Sequence, residues 1–146
     1  MSEIVVDASV VAKWYVPETH HERARDLRDD YLEGKHDLVA PALMPFEVVN
    51  ALKHGGHYDG DRLVKASTTL PEYGIDLVPY RKLGPVAEVA ADLDVTLYDA
   101  SYVALANASD STVFTADGRL LEAIDGTEYS ETAANVRTYP DTPDRE

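Results

Sequence analysis

The sequence predicts an α/β fold, a three-layer α/β/α sandwich around a central, mostly parallel sheet of four to five short strands. Three observations carry this expectation. Ile4-Val5-Val6 is too short and too uniformly apolar for an amphipathic helix, so it reads as a strand buried on both faces, as in parallel sheets. Short apolar strands then alternate with amphipathic helices along the chain, the pattern that right-handed crossovers turn into a parallel sheet covered on both sides. Finally, the run Ala100 to Asn107 is apolar on almost every side, which suits a helix buried under neighbours.

Composition bounds the rest. The 146 residues fit one domain, expected over residues 1–139, with residues 140–146 as a frayed tail that has nothing to pack against. There are no cysteines, which excludes disulfides and thiolate zinc sites, and the five histidines are the only soft metal ligands. No apolar run approaches the roughly 20 residues of a membrane span, and the amino terminus lacks a basic segment followed by an apolar core. A cytoplasmic protein with no membrane partner is expected. The formal net charge of -14, from 13 basic and 27 acidic residues, would by itself repel a nucleic acid. However, the acids are scattered, Asp exceeds Glu and Lys is scarce, as on the halophile-like surfaces of proteins that work in molar salt.

Taken in order, the strand Ile4–Val6 ends at Asp7 and a helical run follows from Val10 to Tyr15. Thr19-His20-His21-Glu22 has capping-box spacing, predicting a helix with Ala24, Leu27 and Tyr31 on one face and Gly34 as its stop. Leu38-Val39-Ala40 is a second strand, and Pro45 suits the first turn of a helix reaching His54. A helix over 62–70, a strand at Ile75–Val78 and a helix over 85–93 come next. Thr96 to Asp99 caps the buried helix, Val113-Phe114-Thr115 is a fourth strand, and Gly118 to Ile124 is a short helix. Val136 to Tyr139 reads as a fifth, edge strand.

Four acids share one description. Asp7, Glu47, Asp99 and Asp117 each interrupt an apolar segment at a strand end or a helix beginning. In a parallel sheet all carboxyl ends point one way, so the four can converge on a single cleft. Each has an ordinary explanation singly, either as a helix cap or as a favourable charge near a helix N-terminus worth about 0.3–1 kcal/mol. Clustered carboxylates either rise in pKa or hold a cation, and oxygen ligands without Cys or His select Mg²⁺ or Mn²⁺.

The ordered set Val5-Val6-Asp7-Ala8-Ser9, Glu47-Val48-Val49-Asn50-Ala51-Leu52, Tyr98-Asp99-Ala100-Ser101-Tyr102 and Thr115-Ala116-Asp117-Gly118-Arg119 resembles the PIN domain, and within it the VapC-type toxins of toxin–antitoxin pairs. The resemblance spans nearly the whole chain and makes residues 1–139 a single PIN-like nuclease domain. It implies a divalent-metal ribonuclease that hydrolyses RNA phosphodiester bonds, with Asp7, Glu47, Asp99 and Asp117 as catalytic, metal-binding acids. Ser9, Asn50 and Thr115 would be supporting hydrogen-bonding positions. It also implies a homodimer and a cognate antitoxin that covers the cleft. Lys13, Lys53 and Arg119 lie near these motifs and are candidates for phosphate contact.

The alternative of a different class is a catalytically silent PIN fold that binds RNA or an antitoxin without cutting, against which the intact quartet counts. A phosphotransferase of the haloacid dehalogenase type would need a second Asp where Ser9 stands. A zinc site from His54, His57 and Asp59 fails because Gly55 and Gly56 break the helix that would align the histidines.

Overall fold

The computed structural model describes residues 2–142. Five strands form one sheet: β1 (Ser2–Val6), β2 (His36–Pro41), β3 (Asp76–Val78), β4 (Thr112–Thr115) and β5 (Ala133–Asn135). Their spatial order is β3-β2-β1-β4-β5, and all four pairings are parallel. The chain thus steps outward from β1 to β3, crosses back to β4 and steps outward again. Its direction reverses beside β1, and the crevice at the carboxyl ends of β1 and β4 is the place where such sheets bind ligands.

Among the described residues seven α-helices fill the connections: α1 (Ala8–Ala12), α2 (His21–Leu32), α3 (Met44–His54), α4 (Gly60–Thr69), α5 (Val86–Leu93), α6 (Leu97–Ala108) and α7 (Gly118–Ile124). Helices α1 to α4 connect strands laid down in one direction and α5 to α7 those laid down in the other, so right-handed crossovers place the two sets on opposite faces. The three-layer expectation is met. α6 lies across β2, β1 and β4, and its residues Ala100 to Ala106 are all buried, which accounts for its apolar sequence.

The core joins Val5 and Val6 of β1, Leu38 and Val39 of β2, Phe114 of β4 and Tyr102 of α6. At its far edge Tyr139 packs edge-on against Phe114 (5.3 Å, 73°) and donates its hydroxyl hydrogen to Asp30 (2.6 Å). Gly34, with φ of 81°, closes α2 in the left-handed conformation that glycine adopts without strain.

Two local expectations are corrected. The capping box at Thr19 and Glu22 does not form, because the chain enters α2 through His20 in a left-handed conformation (φ 65°) with no side-chain cap. Thr19 is therefore one residue too early to reach the first helical amides. The fifth strand is Ala133–Asn135, and Val136–Thr138 instead turn as a 3₁₀ helix capped by the Asn135 carboxamide. Small alanines carry little strand signal, yet both are buried where they pair with β4. Val136 and Tyr139, three apart, both point inward from that turn. Of the expected tail, Pro140 lies in a turn that Asp141 closes by donating its amide to the Thr138 carbonyl (2.8 Å), and residues 143–146 lie outside the described residues.

Because Phe114 is wholly buried between the helical layers, Phe114→Ala should lower the unfolding free energy by about 3–5 kcal/mol. Urea denaturation checks this as a lowered midpoint with an unchanged slope.

Candidate active site

The site begins with a carboxylate that the sheet forces inward. Asp7 follows the last residue of β1, its amide bonds to the Phe114 carbonyl (3.1 Å), and its side chain is only 8 % exposed. Although it occupies the N-cap position of α1, its side chain makes no capping bond. Two hydroxyls hold it instead. Ser9 donates to Oδ2 at 2.6 Å and Thr115, at the end of β4, donates to the same oxygen at 2.7 Å. Among the described residues nothing donates to Oδ1, so one oxygen is fixed by two hydroxyls and the other makes no hydrogen bond.

The two hydroxyls also organise the strand end opposite. Ser9 Oγ accepts the Ala116 amide (2.9 Å), and Thr115 Oγ1 accepts the Asp117 amide (3.0 Å). Asp117 Oδ1 in turn accepts the Arg119 and Leu120 amides (3.0 and 3.4 Å), so this acid does cap a helix, α7. One chain of hydrogen bonds therefore runs from Asp7 through Ser9 and Thr115 to Asp117.

The other two acids come from helices. Glu47 stands in the first turn of α3, where Tyr102 of α6 donates its phenol hydrogen to Oε1 (2.7 Å). Asp99 stands in the first turn of α6, whose start is fixed by Thr96 Oγ1 accepting the Asp99 amide (3.1 Å). Tyr102 was not visible as a site residue in the sequence, because it lies within an apolar run. Its signal was weak but physical: a fully buried phenol needs a hydrogen-bond acceptor.

Electrostatics tie the four together. Burial pushes the Asp7 carboxyl up, the Ser9 and Thr115 hydrogen bonds oppose this, and the charges of Asp99 and Asp117 push it further up. Burial also raises Glu47, against the Tyr102 hydrogen bond and with repulsion from Asp7 and Asp99. Asp99 is raised by burial and by Asp117. The Tyr102 phenol, buried beside Asp7 and Glu47, is held well above its ordinary value and stays a neutral donor. The acids thus repel one another. Even so, among the described residues no three His, Asp or Glu side chains are drawn together tightly enough to hold a metal ion as they stand. The donor chemistry, oxygen only and mutually repelling, fits a hard divalent cation, and the spacing is open.

The remaining candidates separate. Ser9 and Thr115 touch the acids directly. Asn50 sits one helical turn beyond Glu47, exposed on the wall of a cavity of about 550 Å³, without a hydrogen bond to any acid among the described residues. Lys13 directly follows α1 and is 9 % exposed, Lys53 lies exposed in the last turn of α3, and Arg119 meets the site through its backbone amide.

Against known proteins, the PIN domain family model matches residues 4–126. The chain belongs to the PIN domain family. It is 33 % identical over 127 residues to Ribonuclease VapC3 of Pyrobaculum aerophilum, covering 82 % of this chain and 93 % of that one. Among solved structures, the protein PAE2754 from Pyrobaculum aerophilum superposes with a TM-score of 0.67 and 26 % identity, over 94 % of this PIN domain chain and 85 % of the other. FitAcB from Neisseria gonorrhoeae matches with a TM-score of 0.61 over 91 % and 97 % of the two chains, and at 21 % identity shows the fold alone.

The raised Asp7 carboxyl has a sign that can be tested. Its native state holds a proton to higher pH than the unfolded chain, so stability falls as pH rises from the ordinary value of 3.8 through the native one. Asp7→Asn should therefore melt above wild type at neutral pH without divalent metal, and the difference should vanish below pH 3.8. Thermal melts across that range, at constant high ionic strength, check it.

Proposed function

We propose that this chain is a divalent-metal-dependent endoribonuclease of the VapC type, the toxin of a toxin–antitoxin pair. The observation that carries the reading is the hydrogen-bonded row Asp7, Ser9, Thr115 and Asp117 at the switch point of the sheet, with Glu47 and Asp99 facing it from two helices. Similarity to a protein named as a ribonuclease supports the substrate class.

The residues divide the work. Asp7, Glu47, Asp99 and Asp117 would hold Mg²⁺ or Mn²⁺, with Asp7 Oδ1, which accepts no hydrogen bond among the described residues, free to serve as a ligand. Ser9 and Thr115 keep Asp7 from turning, and Tyr102 keeps Glu47 facing the cleft. When bound, the cation supplies Lewis-acid stabilisation of the phosphoryl oxygens and lowers the pKa of an attacking water. Because the acids repel one another and RNA alike, the empty cleft is disfavoured for substrate, and affinity depends on that charge being neutralised. A cognate antitoxin, a homodimeric state and a cytoplasmic setting complete the reading. Among the described residues no helix is long and apolar enough to cross a membrane. The acidic surface fits work at high salt, where a net charge of -14 is screened.

Asp99→Asn or Asp117→Asn should abolish cleavage of single-stranded RNA in Mn²⁺ while leaving the fold intact. Thr115→Val, which removes a support of Asp7, should lower the rate by about 10- to 100-fold. Product gels with circular dichroism on each variant check this. An Asp99→Asn protein that cuts at the wild-type rate would remove that acid from the site, and wild type that binds RNA without cutting in Mn²⁺ would favour the silent binding module.

A further inference from the structure

Among the described residues, two strongly exposed aromatic side chains adjoin two of the acids in sequence. Phe46 is 80 % exposed and immediately precedes Glu47, and Tyr98 is 64 % exposed and immediately precedes Asp99. They come from different helices, α3 and α6, yet they line one cavity of about 550 Å³ with Leu43, Glu47 and Asn50. Phe46 and Asn50 also line a second cavity of about 460 Å³ that leads along α3 to Lys53.

Leaving these rings in water costs stability that a burying partner would return. The chemistry of the walls says what that partner is. The 550 Å³ cavity has no Lys or Arg, so it does not bind phosphate. It offers two exposed aromatic rings, one neutral amide with donor and acceptor, and one carboxylate of the acid set. Flat faces beside a polar amide match a nucleobase, which stacks through its π face and hydrogen-bonds through its edge. The occupant must also leave its phosphate at the acids, and a base attached to the scissile nucleotide does so by covalent connection. With a net charge of -14, the protein cannot draw its affinity from neutralising many phosphates. Stacking does not depend on charge.

Resting on the ribonuclease reading above, we infer that Phe46 and Tyr98, with Asn50 on the wall of the same cavity, form a base-stacking subsite that admits unpaired nucleotides next to the scissile phosphate and rejects duplex RNA. Bases in a duplex already stack on each other and cannot present a face to either ring. Lys53, on the second cavity, is placed to meet the next phosphate along the strand.

Phe46→Trp puts a reporter in the subsite, and the natural Trp14 is buried elsewhere in the core. In EDTA with molar potassium chloride, which screens the repulsion of the acids and allows no turnover, single-stranded oligoadenylate should quench the new emission, whereas the same strand annealed to oligouridylate should not. In Mn²⁺, Phe46→Ala and Tyr98→Ala should each raise KM for the single strand by about 5- to 150-fold with kcat little changed. Phe46→Tyr and Tyr98→Phe should restore it, and the loss should be the same in low and molar potassium chloride. Leu32→Ala, which trims an exposed side chain at the far end of α2, should do nothing. The inference is overturned if oligoadenylate leaves the Phe46→Trp emission unchanged, if duplex quenches equally, or if both alanine variants keep the wild-type KM. It is also overturned if Phe46→Leu and Tyr98→Leu bind RNA as well as the aromatic forms, since an apolar protein side chain would then suit the cavity as well as a base. A wild type that fails to cut RNA in Mn²⁺ counts against the ribonuclease reading alone, because the emission test needs no cleavage.

Discussion

The structure depends on a carboxylate held at the end of the central strand. β1 lies between β2 and β4, so whatever follows Val6 is delivered to the middle of the carboxyl edge. There Asp7 is buried, and burial of an anion is costly unless its oxygens are satisfied. Ser9 and Thr115 satisfy one oxygen, and both also accept amides from the end of β4. The same two hydroxyls that stabilise the anion therefore fix the distance between two strand ends and the position of Asp117. Replacing either would affect two acids at once.

Around that anchor the molecule accepts repulsion. Asp7, Glu47 and Asp99 are all pushed upward by burial, with further repulsion from other acids of the cleft. Neutral donors, not lysines or arginines, hold them: two alcohols, one phenol and the backbone amides at the start of α7. A cationic partner would quench the charge permanently and leave nothing for a ligand to neutralise. Hydroxyl donors orient the acids without cancelling them, which is the condition for a cation and a phosphate to be bound later.

How much of this was legible depends on the residue. Asp7 was legible because an acid at the end of a buried strand, ordinary as a helix cap when taken singly, shares its description with Glu47, Asp99 and Asp117 further along the chain. The alternation of strands and helices gave the layers, and the apolar run in α6 gave its burial. The roles of Ser9 and Thr115 came from family resemblance, because no local pattern says that a hydroxyl at residue 9 will meet one at residue 115. Tyr102 went unseen for a related reason: its acceptor, Glu47, is 55 positions away in the sequence. Ala133–Asn135 was missed because strand signals favour branched and aromatic residues, whereas here two small alanines fit beside β4. The capping box failed on backbone geometry that side-chain spacing does not encode. Phe46 and Tyr98 drew no reading of their own from the sequence, because only the fold decides whether such a residue faces the core or solvent.

The central claim is that Asp7 belongs to a cation site, and metal-induced stabilisation tests it most directly. Binding to the native state alone contributes about 2.7 kcal/mol at a hundred times the dissociation constant, which for a chain of this size is a rise of several degrees in melting temperature. The measurement is the melting temperature of wild type and Asp7→Asn as Mn²⁺ is titrated at constant high ionic strength, so that screening of the acidic surface does not imitate binding. The account predicts a saturable rise in wild type and a much smaller one in Asp7→Asn. An identical response of the two proteins would contradict it.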